Sequence, residues 1–383
     1  MVSTCIKCGL PSTIKGVSIL KSGECTYCNF HRKHSMALFD RERIKELFQK
    51  RIDRIKGKYP YDALVGISGG KDGTYVLHRL VRDYGLKVLA VTYDHGFLDP
   101  SVKGKIEELV KIYGVDHQYH YPENLKSLYR GVLKATGIIC DACSLGGYYG
   151  SVRMMLQYKI PMFVHGRSTY QMIRNLDEKA WKKDLYVALI KGNLKEYDPV
   201  ALNRLYKKMY NLIKWKVAFL RIGFKEKRNV MNEYFSKLKS VPDDFVPESF
   251  AYFLTEEYDE NRIRRILKED VGYVCPPSHN DCTVHNAAHY LISLQKGACT
   301  GVLEAAAMVR SGVMNKNEFE KIYNLKKQET ENPSKKIKEE LQRIEKIVNI
   351  NLGKIGHPSP QKQQTDQPDS LSRPGQPVAQ RHP

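Results

Sequence analysis

The residues of this 383-residue chain that could do chemistry begin with four cysteines near its start. The stretch "CIKCGLPSTIKGVSILKSGECTYCNF" holds two C-x2-C pairs, Cys5 with Cys8 and Cys25 with Cys28. Each such short loop supplies two thiolates, and two loops together form the tetrahedral ligand set of a structural zinc site. The spacing therefore predicts that the four cysteines bind one Zn²⁺ ion.

A glycine-rich turn follows an apolar segment further along the chain. Glycines let the backbone come close to an anion, and the N–H groups at the start of a helix carry partial positive charge. A lysine adds a point charge for phosphate oxygens, and an aspartate fits such a site when a divalent cation shares it. The turn matches neither G-x-x-x-x-G-K-[ST] nor G-x-G-x-x-G. We therefore predict a pyrophosphate site formed by Ser68, Gly69, Gly70, Lys71 and Asp72, with Gly73 and Thr74 next.

The remaining cysteines are open to several interpretations. Cys140 and Cys143 form a third C-x2-C pair, which could be half of a second zinc site or a pair of buried thiols. Cys299 has no evident partner, and we expect it in the core. Another possible zinc set combines two cysteines with two histidines one helical turn apart: Cys275, Cys282, His285 and His289.

Alternating strands and helices must position these residues. Apolar strand patterns occur at Ala63–Ile67, Lys87–Thr92 and Pro161–His165, and a weak strand pattern occurs at His117–Tyr121. Helical patterns lie between and beside them, at Thr74–Asp83, Val102–Tyr113, Leu125–Lys134 and Ser151–Tyr158. This alternation predicts an α/β fold with a doubly wound parallel sheet, whose ligands bind at the carboxyl ends of the strands.

Charge and composition suggest a nucleotide or another polyanion as partner. The formal net charge is +20, and residues 201–239 hold eleven Lys and Arg against two Glu. That stretch is either a solvated basic helical face or a groove for a polyanion. No apolar run approaches the ~20 residues that span a bilayer. We therefore expect a cytoplasmic protein without a membrane partner, whose cysteines bind metal or react rather than form disulfides.

We expect the chain to divide into four parts. Residues 1–34 form a zinc-binding knuckle module, and residues 35–176 form the nucleotide-binding domain. Residues 177–354 form a helical basic region that completes the substrate site, with no strand pattern between residues 177 and 258. Residues 355–383 are rich in Gln, Pro and Ser, which predicts a disordered tail.

The turn at residues 68–72 resembles the S-G-G-K-D-[SG] signature of the PP-loop ATP pyrophosphatases, which cleave ATP to AMP and pyrophosphate. Gly73 stands where a serine is commoner. The resemblance implies a HUP-like sheet, ATP and Mg²⁺ as cofactors, and catalytic roles for Lys71 and Asp72. It also implies that residues 68–74 grip the pyrophosphate end of ATP, while Asp94 and Gly166 at later strand ends face the nucleotide.

A longer resemblance links the chain to the N-acetyl sugar amidotransferases of lipopolysaccharide and pseudaminic acid biosynthesis. It covers the paired knuckles, "GFLDPSVKGKIEELVKIYGVDHQYHYPENL", "MLQYKIPMFVHG" and "EAAAMVRSGVMNKNEFEKI". The resemblance implies that an acetamido sugar or nucleotide sugar is adenylated on its amide oxygen. Ammonia from a separate glutaminase subunit then displaces AMP.

A second resemblance, to the tRNA thiolation enzymes of the same superfamily, implies sulfur insertion instead. Those enzymes hold a [4Fe–4S] cluster with a C-x2-C pair before a helix and one later cysteine. Cys140 and Cys143 match the pair, and Cys275 or Cys282 could be the third ligand. The basic stretch at residues 201–239 would then bind tRNA. A third hypothesis is a non-catalytic module that binds ATP or RNA.

Overall fold

The computed structural model describes residues 2–122, 124–196, 201, 204, 223–225, 227–228, 245, 247–276 and 281–354. The predicted tail at 355–383 and almost all of the basic stretch at 201–239 lie outside these residues. Among the described residues, no helix combines the length and the apolar character needed to cross a membrane.

Five parallel strands form one sheet, in the order β3-β2-β1-β4-β5. The strands are β1 (Ala63–Gly66), β2 (Val88–Tyr93), β3 (Asp116–His120), β4 (Met162–His165) and β5 (Glu248–Ala251). This confirms the predicted α/β fold with a parallel sheet. The chain moves outward on one side from β1 to β3 and then returns to place β4 on the other side of β1. A crevice therefore opens beside the carboxyl end of β1, where open α/β sheets bind their ligands.

Helices cover both faces of the sheet and continue into a C-terminal helical region. In chain order they are α1 (Thr26–Phe39), α2 (Arg41–Ile55), α3 (Lys71–His78), α4 (Pro100–Tyr113), α5 (Leu125–Thr136), α6 (Ile139–Gln157), α7 (Thr169–Ile173), α8 (Glu178–Lys183), α9 (Leu185–Leu194), α10 (Glu260–Val271), α11 (His285–Lys296), α12 (Thr300–Arg310), α13 (Lys316–Glu331) and α14 (Lys335–Val348). A π-helical turn at Arg79–Asp83 continues α3.

The alternating faces of the strands explain how the sheet is buried. Ala63 and Val65 of β1 belong to the large core that contains α2, α3 and α4. Leu64, between them, packs on the opposite face with Met154 and Met155 of α6. Both faces of β1 are therefore apolar, as expected of a central parallel strand.

Strand β5 was not predicted, because its sequence "ESFA" is short and starts with a charged residue. The Glu248 side chain is buried, and its carboxylate forms ion pairs with Arg51 and Arg54 of α2; the Arg51 Nε lies 3.3 Å away. A buried carboxylate is tolerated only when it is paired in this way. The ion pair lets a glutamate occupy a strand position that the sequence pattern does not reveal.

Helix α1 was also not predicted, since only the zinc-binding knuckle module was expected in residues 1–34. The Cys25 thiol caps this helix by accepting a hydrogen bond from the Cys28 N–H at 3.4 Å. The helix then runs to Phe39, so the expected boundary at residue 34 falls inside it. The N-terminal cysteines are thereby joined to the body of the protein by a continuous helix.

Candidate nucleotide site and metal centre

The glycine-rich turn connects β1 to α3, as its sequence predicts. Gly69 has φ +72°, a left-handed conformation that favours glycine. Gly70 is the N-cap of α3 and offers no side chain to the first backbone N–H groups of the helix. These N–H groups carry the positive end of the helix dipole, so the turn suits an anion such as a phosphate.

Two further glycines allow the turn to lie against neighbouring backbone. A Cβ atom on Gly73 would lie 2.5 Å from the Gly66 carbonyl oxygen, and one on Gly166 would lie 2.7 Å from the Asp72 carbonyl group. The commoner serine at position 73 would therefore force the backbone apart. The Thr74 hydroxyl donates to the Gly70 carbonyl at 2.7 Å, so it stabilises the turn from within.

Lys71 and Asp72 lie on the side of the turn that faces α10. The Lys71 Nζ atom is 3.5 Å from a carboxylate oxygen of Asp72 and 3.5 Å from one of Glu260. Burial raises the pKa of the Asp72 carboxyl, while the Lys71 ammonium and the Tyr258 hydroxyl oppose that rise. The two residues predicted to be catalytic are thus half-buried, and both are contacted by the segment around α10 (residues 258–273).

Three residues of that segment contact the turn and were not predicted from the sequence. The Tyr258 hydroxyl donates to the Asp72 carboxylate at 3.0 Å, and the Tyr273 hydroxyl donates to the Gly69 carbonyl at 2.7 Å. Glu260 adds its ion pair with Lys71. The two tyrosines lie 186 and 204 residues from their partners, so no local sequence pattern could have connected them.

A cavity of about 940 Å³ opens at the carboxyl ends of the strands. Ser68 and Gly73 of the turn line it, as does Gly166 after β4. Asp94 follows β2 but is not among the lining residues, and its carboxylate accepts a hydrogen bond from the Gly96 N–H at 3.0 Å. A cavity of this size and place is typical of a small-molecule site.

Three histidines at or just beyond successive strand ends also line the cavity. His95 follows β2, His120 ends β3 and His165 ends β4. Burial lowers the pKa of His120 to about 4 and that of His165 to about 3, and it lowers the pKa of His95 as well. The imidazoles are therefore neutral near pH 7. Their positions at strand ends were the sequence signal that could have marked them as site residues.

The charged residues that line the cavity do not make it basic, although the chain as a whole is. They comprise two arginines and three aspartates: Arg167, Arg174, Asp141, Asp184 and Asp281. Arg174 is paired with Glu304 at 2.6 Å. The net charge of +20 is thus not concentrated at this cavity.

The four N-terminal cysteines come together as predicted. Their sulfur atoms all lie within 4.8 Å of one another, with 3.7 Å between Cys5 and Cys28 and between Cys8 and Cys25. All four are at most 3% exposed. A tetrahedral ion with metal–sulfur bonds of ~2.3 Å has sulfur–sulfur edges of ~3.8 Å, so the group can hold a metal ion.

The other cysteines are arranged differently. Cys143 lines the cavity and shares an apolar cluster with Cys140 and Cys282, whereas Cys275 packs in the large core beneath the glycine-rich turn. Cys282 reaches this position because Leu98 bridges to it and the Thr283 N–H donates to the Phe97 carbonyl at 2.8 Å. The structure therefore groups Cys282, rather than Cys275, with the C-x2-C pair.

Two other ligand sets do not form a compact group: Cys140 and Cys143 with a later cysteine, and Cys275 and Cys282 with two histidines. Within the described ranges, only the four N-terminal cysteines bring three or more ligand atoms within 4.8 Å of one another. His285 and His289 of α11 face each other with ring centroids 4.3 Å apart. The proposed zinc set of these histidines with Cys275 and Cys282 is not assembled.

No family model matches the chain, and no curated protein matches it. Among solved structures, the U34-tRNA thiolase NcsA from Methanococcus maripaludis with its [4Fe-4S] cluster is similar over 85% of this chain and 89% of that chain, with 14% identity and a TM-score of 0.35. NMN synthetase from Francisella tularensis is similar over 52% of this chain and 98% of that chain, with 12% identity and a TM-score of 0.28. At these TM-scores no property is transferred to this chain.

Proposed function

We propose that the chain is an ATP-using enzyme of the PP-loop type, which transfers AMP to an oxygen of its substrate and releases pyrophosphate. The observation that carries this proposal is the glycine-rich turn at the edge of the cavity. Gly69, Gly73 and Gly166 each sit where a side chain would be strained or would clash. Such a turn at the start of a helix favours phosphate, and the adjoining cavity has room for the rest of a nucleotide.

The residues of the turn would act by binding and orienting the phosphates. The N–H groups at the start of α3 would donate hydrogen bonds to phosphate oxygens. The Lys71 ammonium would neutralise charge that develops on the leaving pyrophosphate. Asp72 offers a hard carboxylate ligand to Mg²⁺, which supplies further neutralisation when bound. An acceptor oxygen then forms a bond to the α-phosphorus while the bond to pyrophosphate breaks. Positioning and electrostatics account for most of such catalysis.

The acceptor that best fits the cavity is uncharged. The three neutral imidazoles can hydrogen-bond to hydroxyl and amide groups, and the three aspartates against two arginines supply no excess positive charge for an anionic acceptor. This favours the N-acetyl sugar amidotransferase, in which an acetamido oxygen is adenylated and ammonia then replaces AMP. The ammonia would come from a separate glutaminase subunit, and the product would enter surface polysaccharide synthesis in the cytoplasm.

A second candidate is sulfur insertion into tRNA. The observation that favours it is the position of Cys143 on the cavity wall, in one apolar cluster with Cys140 and Cys282. Three thiolates there could hold a [4Fe–4S] cluster whose open iron binds sulfide. The basic stretch at residues 201–239 would bind the RNA phosphates.

For the N-terminal centre we propose Zn²⁺ in a structural role. All four ligands are thiolates, all are buried, and no position is left open for a substrate. Closed four-cysteine sites of this kind are typical of structural zinc.

The test measures AMP and pyrophosphate release by the full chain. A neutral acetamido sugar with ammonium is compared with tRNA and a sulfur donor. We expect Lys71→Ala and Asp72→Asn each to lower the rate by about 10²–10³-fold, because each removes a preorganised charge. Lys268→Ala, on the exposed face of α10, is the matched control and should be unchanged. Near-normal turnover in both variants would contradict the nucleotide site.

A further inference from the structure

The segment around α10 holds the glycine-rich turn through two kinds of contact. Tyr258 and Tyr273 donate hydrogen bonds to the Asp72 carboxylate and the Gly69 carbonyl of the turn, and neither bond involves the Lys71 ammonium. Glu260 is different, because its carboxylate lies 3.5 Å from the Lys71 Nζ atom. The tyrosines stabilise the conformation of the turn, whereas Glu260 forms an ion pair with the lysine of the turn.

Lys71 therefore has two carboxylates as partners. The single positive charge of the ammonium faces both Asp72 and Glu260, so it is neutralised in the free protein. A phosphate that approaches the turn meets an ammonium that is already neutralised, and one carboxylate must give way or be neutralised before the phosphate can bind there.

Of the two carboxylates, Glu260 can move away from the Lys71 ammonium at the lower cost in free energy. Its side chain is 47% exposed, whereas that of Asp72 is 23% exposed and is also held by Tyr258. Glu260 has a second cationic partner one helical turn away, since the Arg264 Nε atom donates to it at 2.9 Å. Arg264 is itself anchored by donating to the Pro276 carbonyl at 2.9 Å. A displaced Glu260 would thus keep an ion pair.

We infer that Glu260 occupies on Lys71 the place that a phosphate oxygen takes when a nucleotide binds. Glu260 is accordingly a positioning residue: it holds the ammonium beside the turn in the free protein and competes with the nucleotide for it. This inference rests on the proposed function, because it needs a phosphate at residues 68–73. Arg264 sets the strength of the competition by drawing the carboxylate away from Lys71.

The test compares the affinities of full-chain variants for MgATP and for inorganic pyrophosphate by titration calorimetry. We expect Glu260→Gln to bind both about two- to fivefold more tightly, as suits the loss of a half-exposed competing ion pair. The KM for ATP should fall while kcat stays the same, a split that a merely structural role would not produce. Arg264→Gln should bind more weakly than wild type, and the double variant should match Glu260→Gln. Glu269→Gln, an exposed glutamate of the same helix, is the control and should match wild type.

The outcomes separate the inference from the function beneath it. Unchanged or weaker binding by Glu260→Gln, with normal binding by wild type, would overturn the competition and leave the nucleotide site standing. Absence of MgATP and pyrophosphate binding in wild type and every variant, all with native circular dichroism, would overturn both.

Discussion

The N-terminal module and the cavity wall both carry cysteines at C-x2-C spacing, but their backbones place the sulfur atoms differently. In the module, Gly9 and Gly23 have φ near +80°, and these turns curl the chain until four sulfurs meet. On the cavity wall, Cys140 and Cys143 lie in the first two turns of α6. There the Cys143 sulfur contacts the Tyr129 hydroxyl at 2.8 Å. The same spacing thus yields a metal centre only where the turns bring a second pair to the first.

The packing around the two regions adds to the contrast. The module cysteines share an apolar cluster with α12 and α13, and a Cβ on Gly9 would lie 2.7 Å from the Phe319 ring. Loss of a metal there would loosen contacts with the body of the protein. The cavity cysteines lie among the side chains of α5, α6, α11 and α14, which pack together as an apolar cluster. We therefore expect substitutions of the module ligands to cost more stability than substitutions at the cavity wall.

The largest effect should come from Cys25→Ser. Removal of one ligand abolishes the tetrahedral site, and metal binding supplies much of the folding free energy of small loop-rich modules. We expect loss of the bound metal and of more than about 4 kcal/mol of unfolding free energy. Elemental analysis and urea denaturation measure the two quantities.

Cys299→Ser is the matched control for that variant. Cys299 is 1% exposed and belongs to the same apolar cluster, but it is not one of the four ligands. Because Cys299 is the N-cap of α12, a serine hydroxyl can accept a hydrogen bond from the first turn of that helix, so the loss should stay below about 1 kcal/mol while the metal content stays intact. Full metal content in Cys25→Ser, or equal losses in both variants, would remove the distinction between the module and an ordinary core.

Much of this contrast was visible in the sequence, and the reason is local. The four ligands of the module, the turn at residues 68–73 and the buried strands β1 and β2 each follow from short patterns. Strand β5 escaped because Glu248 needs two arginines of α2 to be buried. The choice of Cys282 over Cys275 as neighbour of Cys143 depends on the pairing of residues 97–99 with residues 281–283. Contacts between distant segments of this kind carry no local signature.

A smaller effect should appear at the cavity wall when the pH falls. The pKa of His165 is lowered from 6.5 to about 3 by burial, so the unfolded chain takes up a proton at a higher pH than the folded chain does. The unfolding free energy is therefore unaffected above pH 6.5 and falls between pH 6.5 and 3, by up to ~1.4 kcal/mol per pH unit. His165→Gln removes this term. Between pH 7 and pH 5, the variant should lose about 2 kcal/mol less than wild type in urea denaturation.

Asn175→Gln serves as the comparison, since Asn175 also lines the cavity but has no titratable group. It should keep the acid sensitivity of wild type. Identical acid sensitivity in His165→Gln and wild type would mean that the His165 imidazole takes up its proton as readily in the folded chain as in the unfolded one.

The smallest effect on stability should come from Cys143→Ser, and this variant also decides between the two candidate functions. Tyr129 has one hydroxyl proton, which it can donate to the His95 carbonyl at 3.0 Å. The Cys143 thiol would then donate to the Tyr129 oxygen, in agreement with the burial that raises the pKa of Cys143. A serine hydroxyl can donate in the same way, so we expect a loss of about 1 kcal/mol. Acetamido-sugar-dependent AMP formation should persist.

A different outcome would replace amidation with sulfur insertion as the function. Anaerobically purified wild type would then contain iron, which Cys143→Ser and Cys282→Ser would lose and Cys275→Ser would retain. AMP formation would also depend on tRNA.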